Sequence, residues 1–272
     1  MEFSTTATST PISTSRDPDE IQLLDRSLRL ATSTDHATVD SCNRKPIFIS
    51  VEGNIGAGKT TLIKNMEKKL ASDEIVFLKE PVDIWETIRD PVDDESILVK
   101  FYRDPHKYAF SFQVMAYASR LSIIRKTIAD NPKCKVIICE RSLDADRNIF
   151  AKMLYQDGMI DSIHFQIYNH FFNEYSEDYA LSGIIYIDAD PDVCKSRIET
   201  RARDGESNIK TDYLKKCRDF HEKWLIHGQD LHEDCDVLRI HTNTHATYNE
   251  ADPEDCGNKW ITRIRLFVEK FM

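Results

Sequence analysis

From Lys45 onward, apolar residues gather in short unbroken runs separated by longer amphipathic stretches. The runs are 46–51 (PIFISV), 75–79 (IVFLK), 135–139 (KVIIC), 184–188 (IIYID) and 236–240 (DVLRI). Runs of this length without polar alternation predict strands covered on both faces, as in parallel sheets. The stretches between them predict helices. Three open with the same device, Asp104-Pro105, Asp190-Pro191 and Asp252-Pro253, in which the carboxylate can cap free N–H groups and the proline suits the first turn. Asn131-Pro132 predicts the end of the helix begun at Pro105. Strands joined by helical crossovers predict an α/β fold in three layers: a five-stranded parallel sheet, helices on both faces, and ligands at the C-terminal strand ends.

Residues 1–43 follow a different pattern. Nine of the first fifteen are Ser or Thr, and acidic residues precede any basic cluster, so the composition predicts a flexible arm and argues against a transit peptide. Within it, Asp17-Pro18 followed by Ile21, Leu24 and Leu28 predicts a short amphipathic helix, too short to hold alone, that could dock on another subunit. Residues 44–272 are expected to form the single folded domain. The net charge of −10 disfavours a nucleic-acid partner. Seven cysteines, scattered and never spaced C-x-x-C, predict neither a disulfide framework nor a zinc ribbon and point to a reducing, cytoplasmic setting. His241-x-x-x-His245 has zinc-like spacing, but Cys235 and Cys256 complete no compact site with it. No apolar run approaches the length of a membrane helix, so no membrane contact is expected.

The first predicted strand runs into Gly53-Asn54-Ile55-Gly56-Ala57-Gly58-Lys59-Thr60-Thr61, which has the G-x-x-x-x-G-K-T spacing of a phosphate-binding loop. Glycines let backbone N–H groups face the phosphates, and the following helix starts with its positive end toward them. Lys59 would reach the β- and γ-phosphates, and Thr60 would ligate Mg²⁺. Glu80-Pro81 ends the second strand, where a carboxylate could take a proton from a hydroxyl. Glu140-Arg141-Ser142 ends the third, where Glu140 could serve the metal while Arg141 faces a phosphoryl oxygen. Arg197 and Arg201 share a helix face with Arg203 just beyond; after the fourth strand they predict a lid that neutralises charge during transfer.

Together with Trp85, Phe112-Gln113, Arg120 and Asp146-Arg147, these motifs resemble the deoxyribonucleoside kinase family, and within it the deoxycytidine, deoxyguanosine and deoxyadenosine kinases. The match runs in order from about Lys45 to Leu225. The resemblance implies a P-loop kinase fold and transfer of the γ-phosphate of ATP, with Mg²⁺, to a deoxynucleoside 5′-hydroxyl. It implies that Glu80 is the base and that Arg141 holds Glu80 and the reacting oxygen. Tyr102 and Glu206 would bind the sugar 3′-hydroxyl, Gln113 the base edge, and Trp85, Phe112 and Phe150 the faces of the base. It also implies a homodimer formed through a helical face. After about residue 235 the similarity fades, so Thr242–Asp255, expected near the donor base, is not mapped onto the family pattern.

The amide of Gln113 offers an acceptor and donors that suit cytosine or adenine in one orientation, thymine or guanine in the other. Ala116, one turn on, leaves room. An ionised Asp146 paired with Arg120 favours an exocyclic amino group over the carbonyl of thymine. The expected acceptor therefore carries adenine, cytosine or guanine. A nucleoside monophosphate kinase would instead need cations around the acceptor's own phosphate, and a nucleotide-binding switch would have no use for Glu80.

Overall fold

The computed structural model describes residues 45–249 and 251–272. The expected helix at Ile21, Leu24 and Leu28, and the arm as a whole, lie outside the described residues. Five parallel strands form one sheet in the order β2-β3-β1-β4-β5: β1 (Ile47–Gly53), β2 (Ile75–Leu78), β3 (Val136–Glu140), β4 (Leu181–Asp188) and β5 (Asp236–His241). β4 begins three residues before its apolar run because Gly183 interrupts the pattern; a Cβ there would meet the Phe267 ring at 3.1 Å.

Alternate side chains feed two cores. Ile49, Val51, Ile138, Ile185 and Ile187 pack beneath α1 (Lys59–Leu70), α7 (Pro191–Arg201) and α9 (Cys256–Glu269). Phe48, Ile137, Cys139, Ile184 and Tyr186 face the other layer, made of α4 (Pro105–Asp130), α5 (143–156), α6 (Ser162–Tyr175) and α8 (Thr211–Leu225). A third cluster, with Trp85, Leu98, Phe101, Phe112 and Leu154, closes the C-terminal edge around α2 (Val82–Thr87) and α3 (Ile97–Arg103). The interior of α5, Asp146–Ala151, is a π turn.

The three Asp-Pro devices behave differently. Asp104 accepts from Lys107 N at 3.3 Å and caps α4, which ends at Asp130 beside Asn131-Pro132. Asp190 does not cap α7; its carboxylate is taken by Arg218 and by Asn243 Nδ2 at 2.6 Å, since a guanidinium outcompetes a neutral N–H. At Asp252-Pro253 no helix starts. Asp252 instead accepts from Glu254 N at 2.9 Å in a turn, and Asp255 caps α9 by accepting from Asn258 N at 3.2 Å. Among the described residues no helix is long and apolar enough to cross a membrane. The same residues contain no group of three or more His, Cys, Asp or Glu that could hold a metal; His241 lies 3.0 Å from Asp188 instead.

Candidate active site

The loop between β1 and α1 is set by backbone constraints. Gly56 has φ 79°, and a Cβ on it would lie 2.5 Å from Cys194 O; Gly58 has φ 102° at the N-terminus of α1. Both need the freedom of glycine. Asn54 folds its side chain inward, accepting from Ile55 N at 2.9 Å and donating to Leu214 O at 2.8 Å, so it anchors the loop to α8. Lys59 Nζ donates to Gly53 O and Asn54 O at 3.1 and 2.9 Å. Burial, aided by Arg141, brings its pKa down to about 8. Thr60 Oγ1 donates to Glu140 Oε1 at 2.6 Å, joining the two residues expected to serve a metal.

The loop opens into a cavity of about 880 Å³ that also reaches the acceptor-side residues read from the sequence. Glu80 stands between two guanidiniums, 3.1 Å from Arg141 Nε and 3.4 Å from Arg120 Nη2. Burial alone would raise its pKa; Arg141, Arg120 and Lys59 override that and hold its carboxyl below the usual range. A carboxylate in this state is ionised at neutral pH and can accept a proton. Arg120 also donates from Nε to Asp146 Oδ2 at 2.9 Å, from Nη2 to Asp146 Oδ1 at 3.3 Å, and from Nη1 to Glu140 O at 2.8 Å. Burial pushes the Asp146 carboxyl up, and the two-point contact with Arg120 opposes this.

The end of the cavity expected to take the acceptor is a slot with aromatic walls. Phe112 stacks on Phe101 at 4.6 Å, and Trp85 meets the Phe112 edge at 5.3 Å while donating from Nε1 to Ser119 Oγ at 2.9 Å. Phe150 lies under the Arg141 guanidinium at 4.7 Å. Ala116 and Tyr102 complete the lining, and Gln113 is buried with an Oε1 that no neighbouring group donates to. A buried amide oxygen without a partner is costly unless a ligand donor meets it.

The expected lid divides. Arg201 Nη2 and Arg203 Nη1 both reach Glu206, at 2.6 and 3.3 Å, so the residue expected at the sugar also holds two lid arginines. Arg197 instead donates to Ala57 O at 2.9 Å and Thr242 O at 2.6 Å, bridging the phosphate loop to the segment after β5. That segment, unmapped in sequence, lines the cavity with Thr242, His245 and Tyr248, joined by Trp260 of α9. Asp255 organises it by accepting from Thr247 N at 2.9 Å and Tyr248 N at 3.1 Å. Sequence reasoning also missed Phe101, whose role as the stacking partner of Phe112 depends on how α3 packs against α4.

Comparison with known proteins agrees with this geometry. Residues 49–265 match the family description deoxynucleoside kinase. A probable deoxycytidine kinase of fowlpox virus is 37% identical over 196 residues, covering 71% of this chain and 77% of that protein. Human deoxycytidine kinase is 36% identical over 242 residues, 81% of this chain and 90% of its own length. A mitochondrial deoxyguanosine kinase of Xenopus laevis is 35% identical over 245 residues, with 81% and 89% covered. The chain belongs to the deoxynucleoside kinase family, a family of ATP-dependent phosphotransferases built on the P-loop kinase fold.

Proposed function

We propose that this cleft moves the γ-phosphate of ATP to the 5′-hydroxyl of a deoxynucleoside carrying adenine, cytosine or guanine, as a step of nucleotide salvage. The observation that carries the reading is the acceptor slot: Gln113 with a free Oε1, the Arg120–Asp146 pair and aromatic walls. An acceptor-only carboxylate beside the slot favours an exocyclic amino group and opposes the O4 carbonyl of thymine. The relatives' names, deoxycytidine and deoxyguanosine kinase, lean the same way.

In this reading Glu80 accepts the 5′-hydroxyl proton, and Arg141 holds Glu80 while facing the transferring phosphoryl. Tyr102 and Glu206 take the 3′-hydroxyl, and Arg197, Arg201 and Arg203 balance phosphate charge. Backbone N–H groups of Gly53–Thr61 and the Lys59 ammonium bind the triphosphate. Negative phosphate oxygens raise the Lys59 pKa from its depressed value, which keeps it charged when the donor is bound. The hydroxyl of Thr60 and the carboxylate of Glu140 meet at the foot of the loop, a pair of hard oxygen donors that fits Mg²⁺. When bound, that ion supplies charge neutralisation on the β- and γ-phosphates. The test of base choice is kcat/KM over the four natural deoxynucleosides. Thymidine should come last, and thymidine first would overturn the reading.

A dimer is part of the same proposal. On α6, Ile163, Ile167 and Phe171 recur every fourth residue and are 68%, 40% and 48% exposed, an apolar stripe on an otherwise polar surface. A second copy is the natural occupant given the family. Ile163→Glu with Phe171→Glu should halve the mass seen by light scattering while kcat changes little; equal masses for variant and wild type would remove α6 from the interface. Deleting residues 1–43 in the same experiment asks whether the arm adds any further assembly.

A further inference from the structure

We propose that Glu52 is a positioning residue for phosphoryl transfer: by accepting the Ser142 hydroxyl it fixes the Arg141 turn, and through Arg141 the place of Glu80. The inference rests on the functional reading above and adds a residue to it.

Glu52 is the last residue of β1 before the phosphate-loop glycine, and it is 0% exposed. Alternation along β1 puts Ser50 and Glu52 on the face that Phe48 shares, toward the acceptor-side layer, while Ile49 and Val51 take the other face. A carboxyl at a fully buried position of a central strand is unfavourable unless a specific partner uses it. The partner is Ser142. Its Oγ donates to Glu52 Oε1 at 2.7 Å and accepts from Ala145 N at 3.0 Å, so one hydroxyl ties the start of α5 to β1.

Between that tie and β3 lies Arg141, whose φ of 63° is left-handed and strained for a side chain with a Cβ. The chain holds it there from both sides. Arg141 N donates to Val51 O at 3.1 Å, and the next residue's hydroxyl goes to Glu52, the next residue of β1. The guanidinium then lies on Phe150 and against Glu80, with a buried Nη1 that no neighbouring group accepts from. Glu52 Oε2 is likewise buried without a partner, and burial pushes the carboxyl's pKa up, so the contact with Ser142 is what the side chain supplies at this position. A small rotation of residue 141 would swing the reacting end of Arg141 and release Glu80 from its two-guanidinium grip.

The experiment compares Glu52→Met, Glu52→Gln, Ser142→Ala and the Glu52→Met/Ser142→Ala pair with the full-length wild type. Glu52→Met should lower kcat at least about tenfold with the deoxynucleoside KM nearly unchanged, the split expected of a group that acts in the transition state. Its melting temperature should hold, because the apolar side chain removes the desolvation penalty of a fully buried carboxyl. Glu52→Gln, whose amide oxygen can still accept from Ser142, should recover most of the loss. Ser142→Ala should lower kcat as Glu52→Met does, and the double variant should be no slower than either single one. Losses that multiply in the double variant, or a folded Glu52→Met with wild-type kcat, would overturn the proposal. If Glu52→Met does not fold, Ser142→Ala with wild-type kcat overturns it equally. Wild-type turnover on deoxynucleosides tests the underlying reading separately, since the variants are judged only relative to it.

Discussion

Glu80→Gln is expected to lower kcat by about 10² or more while deoxynucleoside binding changes little, because the amide keeps the shape and loses the basicity. Gln can still accept from Arg141 and Arg120, which now approach Glu80 at 3.1 and 3.4 Å, so the slot should stay assembled. The pH profile of kcat/KM carries the same information. A general base held below the usual carboxylate range leaves the acid limb at low pH, so activity should be flat as pH falls through neutrality. On the alkaline side Lys59, brought to about 8 by burial, is charged below that pH and neutral above it. Apparent affinity of the free enzyme for the triphosphate should therefore weaken as pH rises through about 8. Near-normal turnover in Glu80→Gln would take Glu80 out of the mechanism.

Arg120→Met is expected to destabilise the protein by about 3–5 kcal/mol, since it leaves the Asp146 carboxylate buried and unpaired. Removing both partners, Arg120→Met with Asp146→Ala, should recover much of that stability. The double variant should turn over every substrate more slowly, because Arg120 also supports Glu80 and Glu140 O. The ratio of kcat/KM values is the informative quantity: thymidine should gain on deoxycytidine and deoxyadenosine once no ionised acceptor opposes its carbonyl. An unchanged ratio would show that the pair only packs the slot. A single variant as stable as the wild type, by denaturant titration, would contradict the buried pairing itself.

The strands and the phosphate loop were legible because their signals are local. A parallel strand needs only a short apolar run, and the loop needs glycines at fixed spacing before Lys59. The family resemblance named residues that the structure brings to one cavity, among them Trp85, Tyr102, Phe112, Gln113 and Phe150, but not their contacts. Nothing in the sequence says that Glu206 holds Arg201 and Arg203, or that Arg197 reaches Thr242 O, since those pairings depend on how α7 meets the loop and β5. The π turn at Asp146–Ala151 leaves no compositional trace, yet it carries both Asp146 and Phe150 to the cavity. The Asp-Pro rule failed at Asp252 because Asp255 lies three residues on and can cap α9 while also accepting from Thr247 N. Glu52 has no role assigned from sequence; only its burial and its tie to Ser142 single it out.

The central claim is that the acceptor is a nucleoside with no phosphate of its own, and ADP release measures it directly. ATP and Mg²⁺ are supplied with no acceptor, with each of deoxycytidine, deoxyadenosine and deoxyguanosine, or with the corresponding 5′-monophosphates. ADP release should require a deoxynucleoside and should not be driven by the monophosphates, because Tyr102, Gln113, Phe112, Phe150 and Trp85 offer no cationic cradle for a second phosphate. ADP release driven by the monophosphates alone, or at the same rate with no acceptor present, would contradict the account.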